Sequence, residues 1–231
     1  MASRAFLAGL SLIFAQKLYR PFVIGGSGLY PMGAWQEKRH PFPAGGHIRY
    51  AVGLYGAKEY YNRQGRLGWF PFFQLIQWSL NQQSFFSSFV SQETISSLRS
   101  RSPLSNIGGL GVVYRFPLKT GLWCAFSGDL RIAYVSYPSW ELLLKSGEVL
   151  RILIESNSYI GCAVSPTLWV DLLQNKKTLF GISMSYPLLW GKPSFFTYSL
   201  LRDTLQLQSE RRSYSLSPSW IELRLQISFL P

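Results

Sequence analysis

The side chains in this 231-residue chain that could do covalent or acid–base chemistry are few: two histidines, two cysteines and 11 carboxylates. A nucleophilic site needs a base within hydrogen-bond reach of a Ser or Cys. His40 is followed by Pro41 and Phe42, and His47 by Ile48 and Arg49, so neither carries a serine beside it. Both read as polar residues of a connection or a strand end. Cys124 and Cys162 form no CxxC pair, and the two histidines complete no zinc pattern with them. They read as small apolar residues on strands. The carboxylates Asp129, Glu155, Asp171 and Glu222 share the polar faces of strands with Arg49, Arg115, Arg131, Arg151 and Arg224. Carboxylates offered that many guanidinium partners read as structural ion pairs. The expectation is therefore a protein that is not an enzyme, with no catalytic, cofactor-binding or metal site.

The elements that must position these residues show in the period of the sequence. From Ile221, strict alternation puts Ile221, Leu223, Leu225, Ile227 and Phe229 on one face and Glu222, Arg224, Gln226 and Ser228 on the other. A period of two is a half-buried strand. The same pattern runs through residues 178–190, with Phe180, Ile182, Met184, Tyr186, Leu188 and Trp190 opposite Gly181, Ser183 and Ser185. It recurs over residues 122–137 and again over 149–172, which reads as one long strand. Residues 21–30, 47–61 and 107–118 alternate less cleanly, and 67–80 is apolar on both faces, so its sides stay unassigned. Central charges fall on the polar face throughout. Many aromatics, among them Tyr30, Trp69, Trp78, Trp123, Trp190 and Trp220, fall at or near strand ends. One apolar face, one polar face and aromatic ends describe strands that cross a membrane.

Composition agrees. The chain is 47% hydrophobic and 16% aromatic but only 15% charged, against about 25% charged in soluble domains. The net charge of +12 is dispersed. It forms no basic run, and the aromatics follow no RNA-binding motif, so a nucleic-acid partner is not expected. A basic surface suits the phosphates of lipopolysaccharide or of anionic lipid.

At the N-terminus, Arg4 and the apolar run from Ala5 to Phe14 ahead of Ala15 have the form of a signal peptide over residues 1–15, with a retained N-terminal helix as the other reading. Residues 16–231 are then the barrel domain. The longest uncharged stretch, 67–92, is broken by Pro71, Gln74, Gln77 and Asn81-Gln82-Gln83, so a transmembrane helix is not expected.

The connections alternate in length: long at 31–46, short at 62–66, long at 81–106, short at 119–121, medium at 138–148, short at 174–177 and long at 191–218. An up-and-down barrel with long extracellular loops and short periplasmic turns produces this alternation. In topology, and in its amphipathic C-terminal strand, the chain resembles the small eight-stranded outer-membrane barrel proteins of Gram-negative bacteria, the OmpA-like or OmpX-like group. The resemblance implies an all-β, antiparallel transmembrane barrel of about eight strands in the outer membrane. Such chains usually end on an aromatic residue, whereas here Phe229 precedes Leu230 and Pro231. Some small barrels are lipid A deacylases with a His and a Ser one residue apart, a pattern this chain lacks. A lumen lined by Arg49, Arg115, Asp129, Arg131, Arg151, Glu155, Asp171, Glu222 and Arg224 should fill with ion pairs and plug. Binding then falls to the loops, where Arg202, Arg211 and Arg212 stand among Phe195, Phe196 and Tyr198. The expected role is a structural or binding one in the envelope, toward lipid, lipopolysaccharide or other envelope proteins. A narrow solute channel is the second reading, and a lipid-modifying enzyme the third.

Overall fold

The computed structural model describes residues 21–32, 48–62, 64–81, 95–99, 102–136, 140–147, 149–153, 157–173, 177–190, 194–199, 208–213 and 219–230. They form β1 (Phe22–Met32), β2 (Ile48–Lys58), β3 (Tyr60–Tyr61), β4 (Leu67–Leu80), β5 (Ile95–Arg99), β6 (Leu104–Lys119), β7 (Leu122–Ser136), β8 (Trp140–Leu144), β9 (Val149–Leu153), β10 (Asn157–Val170), β11 (Thr178–Trp190), β12 (Ser194–Ser199), β13 (Gln208–Ser213) and β14 (Ser219–Phe229). The order β2-β1-β14-β11-β10-β7-β6-β4, closed by pairing of β2 with β4, is an eight-stranded antiparallel barrel; the short β3 continues β2 along β4. The β6–β7 turn closes through Thr120 and Gly121, whose φ of 75° lies in the left-handed region that glycine adopts without strain.

The alternation read from the sequence sets the two faces. Leu54, Leu110, Leu130, Ile160, Val164, Ile182 and Leu225 point outward and are exposed, while Asp129, Arg131, Glu222 and Arg224 point inward and are buried. An arginine on the outer face at bilayer mid-depth would be unfavourable by about 2–4 kcal/mol. The strand whose sides were undecided, β4, turns Phe70, Phe72, Gln74, Ile76 and Trp78 inward. Its outer Phe73 and Leu75 are exposed.

Large inward rings lie over glycines of the neighbouring strand. A Cβ at Gly111 would strike the Phe70 ring, one at Gly109 the Phe72 ring and the Leu130 carbonyl, and one at Gly181 the Trp169 ring at 2.6 Å. The glycines are thus the recesses that let aromatic side chains fill a narrow lumen. Two prolines interrupt the ladders of β11: the β10–β11 register passes from Val164↔Tyr186 to Thr167↔Ser183, and the β11–β14 register from Ser185↔Glu222 to Leu188↔Ser219. Pro166 and Pro187 have no N–H to donate there.

Two expectations change. Residues 149–172 are not one strand: β9 and β10 are separate, and β9 belongs to a second sheet of order β13-β12-β9-β8-β5. Ser156 and Ser158 stand at apolar-face positions between the two pieces, and β8 and β12 flank β9 as β7 and β11 flank β10. The connections 81–106, 138–148 and 191–218 also carry strands of this second sheet. Segments such as Trp140-Glu-Leu-Leu-Leu144 show no period of two, so nothing in their pattern announces a strand.

Replacing Gly109 by Val should destabilise the barrel by at least about 2 kcal/mol, at the level of a core overpacking. Urea unfolding of protein refolded into vesicles, followed by tryptophan fluorescence, measures this; unchanged stability would show that the Phe72 ring is free to move aside.

Candidate functional site

The lumen is built in three tiers. In the middle tier, Arg131 on β7 donates from Nε and Nη2 to the two oxygens of Asp129 at 2.7 and 2.6 Å. On β14, Arg224 Nε donates to Glu222 Oε1 at 3.0 Å. Each pair sits at positions i and i+2 of one strand, the spacing that returns a side chain to the same face. Gln74 of β4 ties the wall together, its Nε2 donating to Glu222 Oε1 at 2.6 Å and to Ser27 Oγ of β1 at 3.2 Å. Rings cover both guanidinium groups: Arg224 lies 3.9 Å from the Tyr55 centroid and Arg131 5.5 Å from that of Phe72. A desolvated cation over a ring face adds to the pairing.

Near the short-turn end, Arg115 of β6 bonds Glu59 Oε2 at 3.2 Å, and Tyr61 donates to the same oxygen at 2.9 Å. The Arg115 guanidinium lies 4.8 Å from the Tyr61 ring and 5.4 Å from the Trp169 ring. Toward the long-loop end the filling turns apolar. Trp78 and Trp220 meet edge to face at 5.2 Å, and Trp78 donates to Ser105 Oγ at 2.6 Å. These two tryptophans stand near strand ends, as a membrane girdle would place them, but both face inward at 1% exposure. Tyr30 and Trp190, in contrast, are exposed on the outer face.

Of the nine residues expected to line the lumen, five meet in it: Arg115, Asp129, Arg131, Glu222 and Arg224. Arg49 does not, because it stands at the start of β2, exposed, with Nη2 on Asn81 Oδ1 at 3.3 Å. Arg151 is on β9 and therefore in the second sheet, opposite Glu141 of β8. Asp171 follows β10 at the short-turn end, half-buried, its N–H on the Gly121 carbonyl at 2.9 Å. Glu155 and Arg202 lie outside the described residues, as do His40 and His47. Arg211 and Arg212 are on β13, opposite Phe196 and Phe195. Cys124 and Cys162 are free thiols facing other partners, Leu168 and Leu130 across the β7–β10 ladder. Glu59 was missed, although continuing the inward set Ala51, Gly53, Tyr55 and Ala57 by one step reaches it. Among the described residues no cluster of His, Cys, Asp or Glu could hold a metal ion.

No protein-family model matches the sequence, and no curated protein matches it. Solved structures do. The chain is similar to a major outer membrane protein from Thermus thermophilus, with a TM-score of 0.54 and 12% identity over 92% of this chain and 99% of that one. It is also similar to Neisserial surface protein A, with a TM-score of 0.48 and 8% identity over 93% and 97% of the two chains. A third match is Ail, the attachment invasion locus protein of Yersinia pestis, with a TM-score of 0.44 and 11% identity over 94% and 100%. The Thermus likeness shows the fold. Closed antiparallel strands, an apolar outer surface and a charged, filled interior define an integral membrane barrel of the outer-membrane type. The chain has the architecture of the small eight-stranded outer-membrane barrels.

Glu222→Ala should cost roughly 3–5 kcal/mol, because Arg224 keeps a buried charge without its partner, whereas Glu222→Leu with Arg224→Leu should cost much less. Urea titrations of the three proteins in vesicles measure the difference. A double variant as unstable as the single one would mean that the pair itself, and not the stranded charge, holds the wall.

Proposed function

We propose that the protein is an outer-membrane barrel of a Gram-negative bacterium whose role is structural and binding, and not catalytic. Its filled lumen anchors a protein-binding surface presented outside the cell. The observation that carries this reading is the second sheet. Its order, β5-β8-β9-β12-β13, follows the barrel order β6-β7-β10-β11-β14 strand for strand, each short strand being joined in sequence to its barrel counterpart. Five of the eight wall strands thus have a counterpart on the side of the long connections, in a sheet that is open among the described residues.

An open sheet has edges, and an edge offers unpaired N–H and C=O groups to another chain. Among the described residues the edge strands are β5 and β13. Ser96 and Ser97 of β5 are exposed, and β13 carries Glu210, Arg211 and Arg212. A backbone ladder to an added strand supplies affinity, and the charges along β13 select what is added. The lumen supports the same reading from the other side. Ion pairs at mid-depth and the Trp78–Trp220 contact above them leave little room for a solute path.

Two measurements test this. Purified protein in planar bilayers should give no stable single-channel steps; reproducible steps would favour a solute channel instead. A photo-crosslinker placed at Ser96 should capture a discrete envelope or surface protein in intact cells, and Arg211→Ala with Arg212→Ala should weaken capture several-fold if the opposite edge contributes. Steps in the bilayer together with no crosslink would overturn the proposal.

A further inference from the structure

Four side-chain atoms in the middle of the lumen have no hydrogen-bond partner among the described residues: Gln74 Oε1, Ser185 Oγ, Glu222 Oε2 and Arg131 Nη1. Their residues are as deeply buried as any in the chain, Gln74 and Glu222 at 0% exposure and Ser185 and Arg131 at 1%. Buried polar groups in folded proteins are bonded, to protein or to ordered water. The Gln74 amide can sit only one way round. Its Nε2 uses both hydrogens, one on Glu222 Oε1 at 2.6 Å and one on Ser27 Oγ at 3.2 Å. Turned over, it would set an oxygen against the carboxylate, so Oε1 is an acceptor still to be met.

These atoms converge. Gln74 and Glu222 bond across the lumen, from β4 to β14. Ser185 is the register partner of Glu222 on β11 and is buried on the same inward face; residues so paired hold their Cβ atoms roughly 4.5–5.5 Å apart. Arg131 bonds Asp129 through Nε and Nη2, which leaves Nη1 for another acceptor. Arg131 acts electrostatically on the Glu222 carboxylate, and Asp129 on Arg224, so the β7 pair and the β14 pair lie within reach of each other.

Charge and hydrogen-bond sense decide what fits between them. Asp129 and Glu222 balance Arg131 and Arg224, so the centre is neutral and selects no ion. Two acceptors, one donor and a hydroxyl that can act as either are the complement of water, which donates twice and accepts twice. The inward positions of β10 and β11 at this height carry short side chains, Ala163, Ser165, Thr167, Ser183 and Ser185, opposite the larger ones of β4. Short groups on one wall leave width for a molecule of that size.

We infer that ordered water is bound at the centre of the lumen, donating to Glu222 Oε2 and Gln74 Oε1 and accepting from Arg131 Nη1 and Ser185 Oγ. It joins the two ion pairs into one network over β4, β7, β11 and β14, so the filling of this barrel is hydrated. The site stands on the lumen alone, whatever the second sheet binds. A crystal structure of the whole refolded chain, at a resolution that shows ordered solvent, tests it directly. Density should stand roughly 2.7–3.2 Å from both Glu222 Oε2 and Arg131 Nη1. A direct bond between those two atoms, or a centre without density, would overturn the site. In detergent micelles, X-ray hydroxyl-radical labelling read by mass spectrometry gives a second measurement, because bound water is itself the radical source. The Phe72 ring, buried with its centroid 5.5 Å from the Arg131 guanidinium, should be oxidised. Glu222→Leu with Arg224→Leu removes an acceptor and should lower that oxidation several-fold, heat-dependent gel mobility reporting that the variant is folded. An unlabelled Phe72 in the wild type, or equal labelling of two folded proteins, would refute the bound water and leave the barrel standing.

Discussion

Hydrocarbon offers no hydrogen bonds, so every backbone N–H and C=O that crosses it must find its partner within the chain. That constraint governs this molecule. It requires the β2–β4 pairing that closes the sheet on itself, because an open edge in lipid would leave a row of groups unpaired. Closure fixes which face of each strand is inside, and so places all the chemistry. The interruptions at Pro166 and Pro187 fall on separate ladders of β11 and leave the register on either side unchanged.

With eight strands the lumen is narrow, and its packing follows from that width. Charged and aromatic side chains can share so small a section only where glycines on the next strand make room, as Gly109 does for Phe72 and Gly181 for Trp169. The guanidinium groups are then held between a carboxylate and a ring. Such a network adds little net stability, since desolvating the charges offsets most of their attraction. What it does is make one arrangement of the wall far better than its neighbours, because any slip strands a buried charge. The Glu222–Arg224–Gln74–Ser27 chain links β14, β4 and β1 in this way.

Outside the membrane the constraint relaxes, and the second sheet shows it. Water satisfies backbone groups at an edge, so among the described residues the five strands of the second sheet end in two edges. Among the described residues the barrel's two ends thus differ in kind, one leading into the second sheet and the other into short turns such as Thr120-Gly121.

The sequence by itself determined most of the barrel strands and, β4 apart, their sides. A period of two is a local property of the chain, and facing lipid on one side and a polar lumen on the other stamps it on each strand whose inward side chains are mostly polar or small. It also placed Asp129, Arg131, Glu222, Arg224 and Arg115 inside, because parity along one strand is enough for that. Tertiary structure decided the rest. Whether Arg49 reaches the lumen depends on its height in the barrel, which alternation does not encode, and it sits at the rim. The faces of β4 were unreadable because lumen-filling rings and lipid-facing side chains are both apolar; only the glycines opposite them, on β6, distinguish the two. Trp78 and Trp220 followed the aromatic-end pattern in sequence but turned inward, since parity and not position sets direction. The second sheet was hidden for a related reason: segments such as Trp140–Leu144 carry apolar residues at successive positions, so no period of two marks them, and their pairing shows only in the tertiary structure.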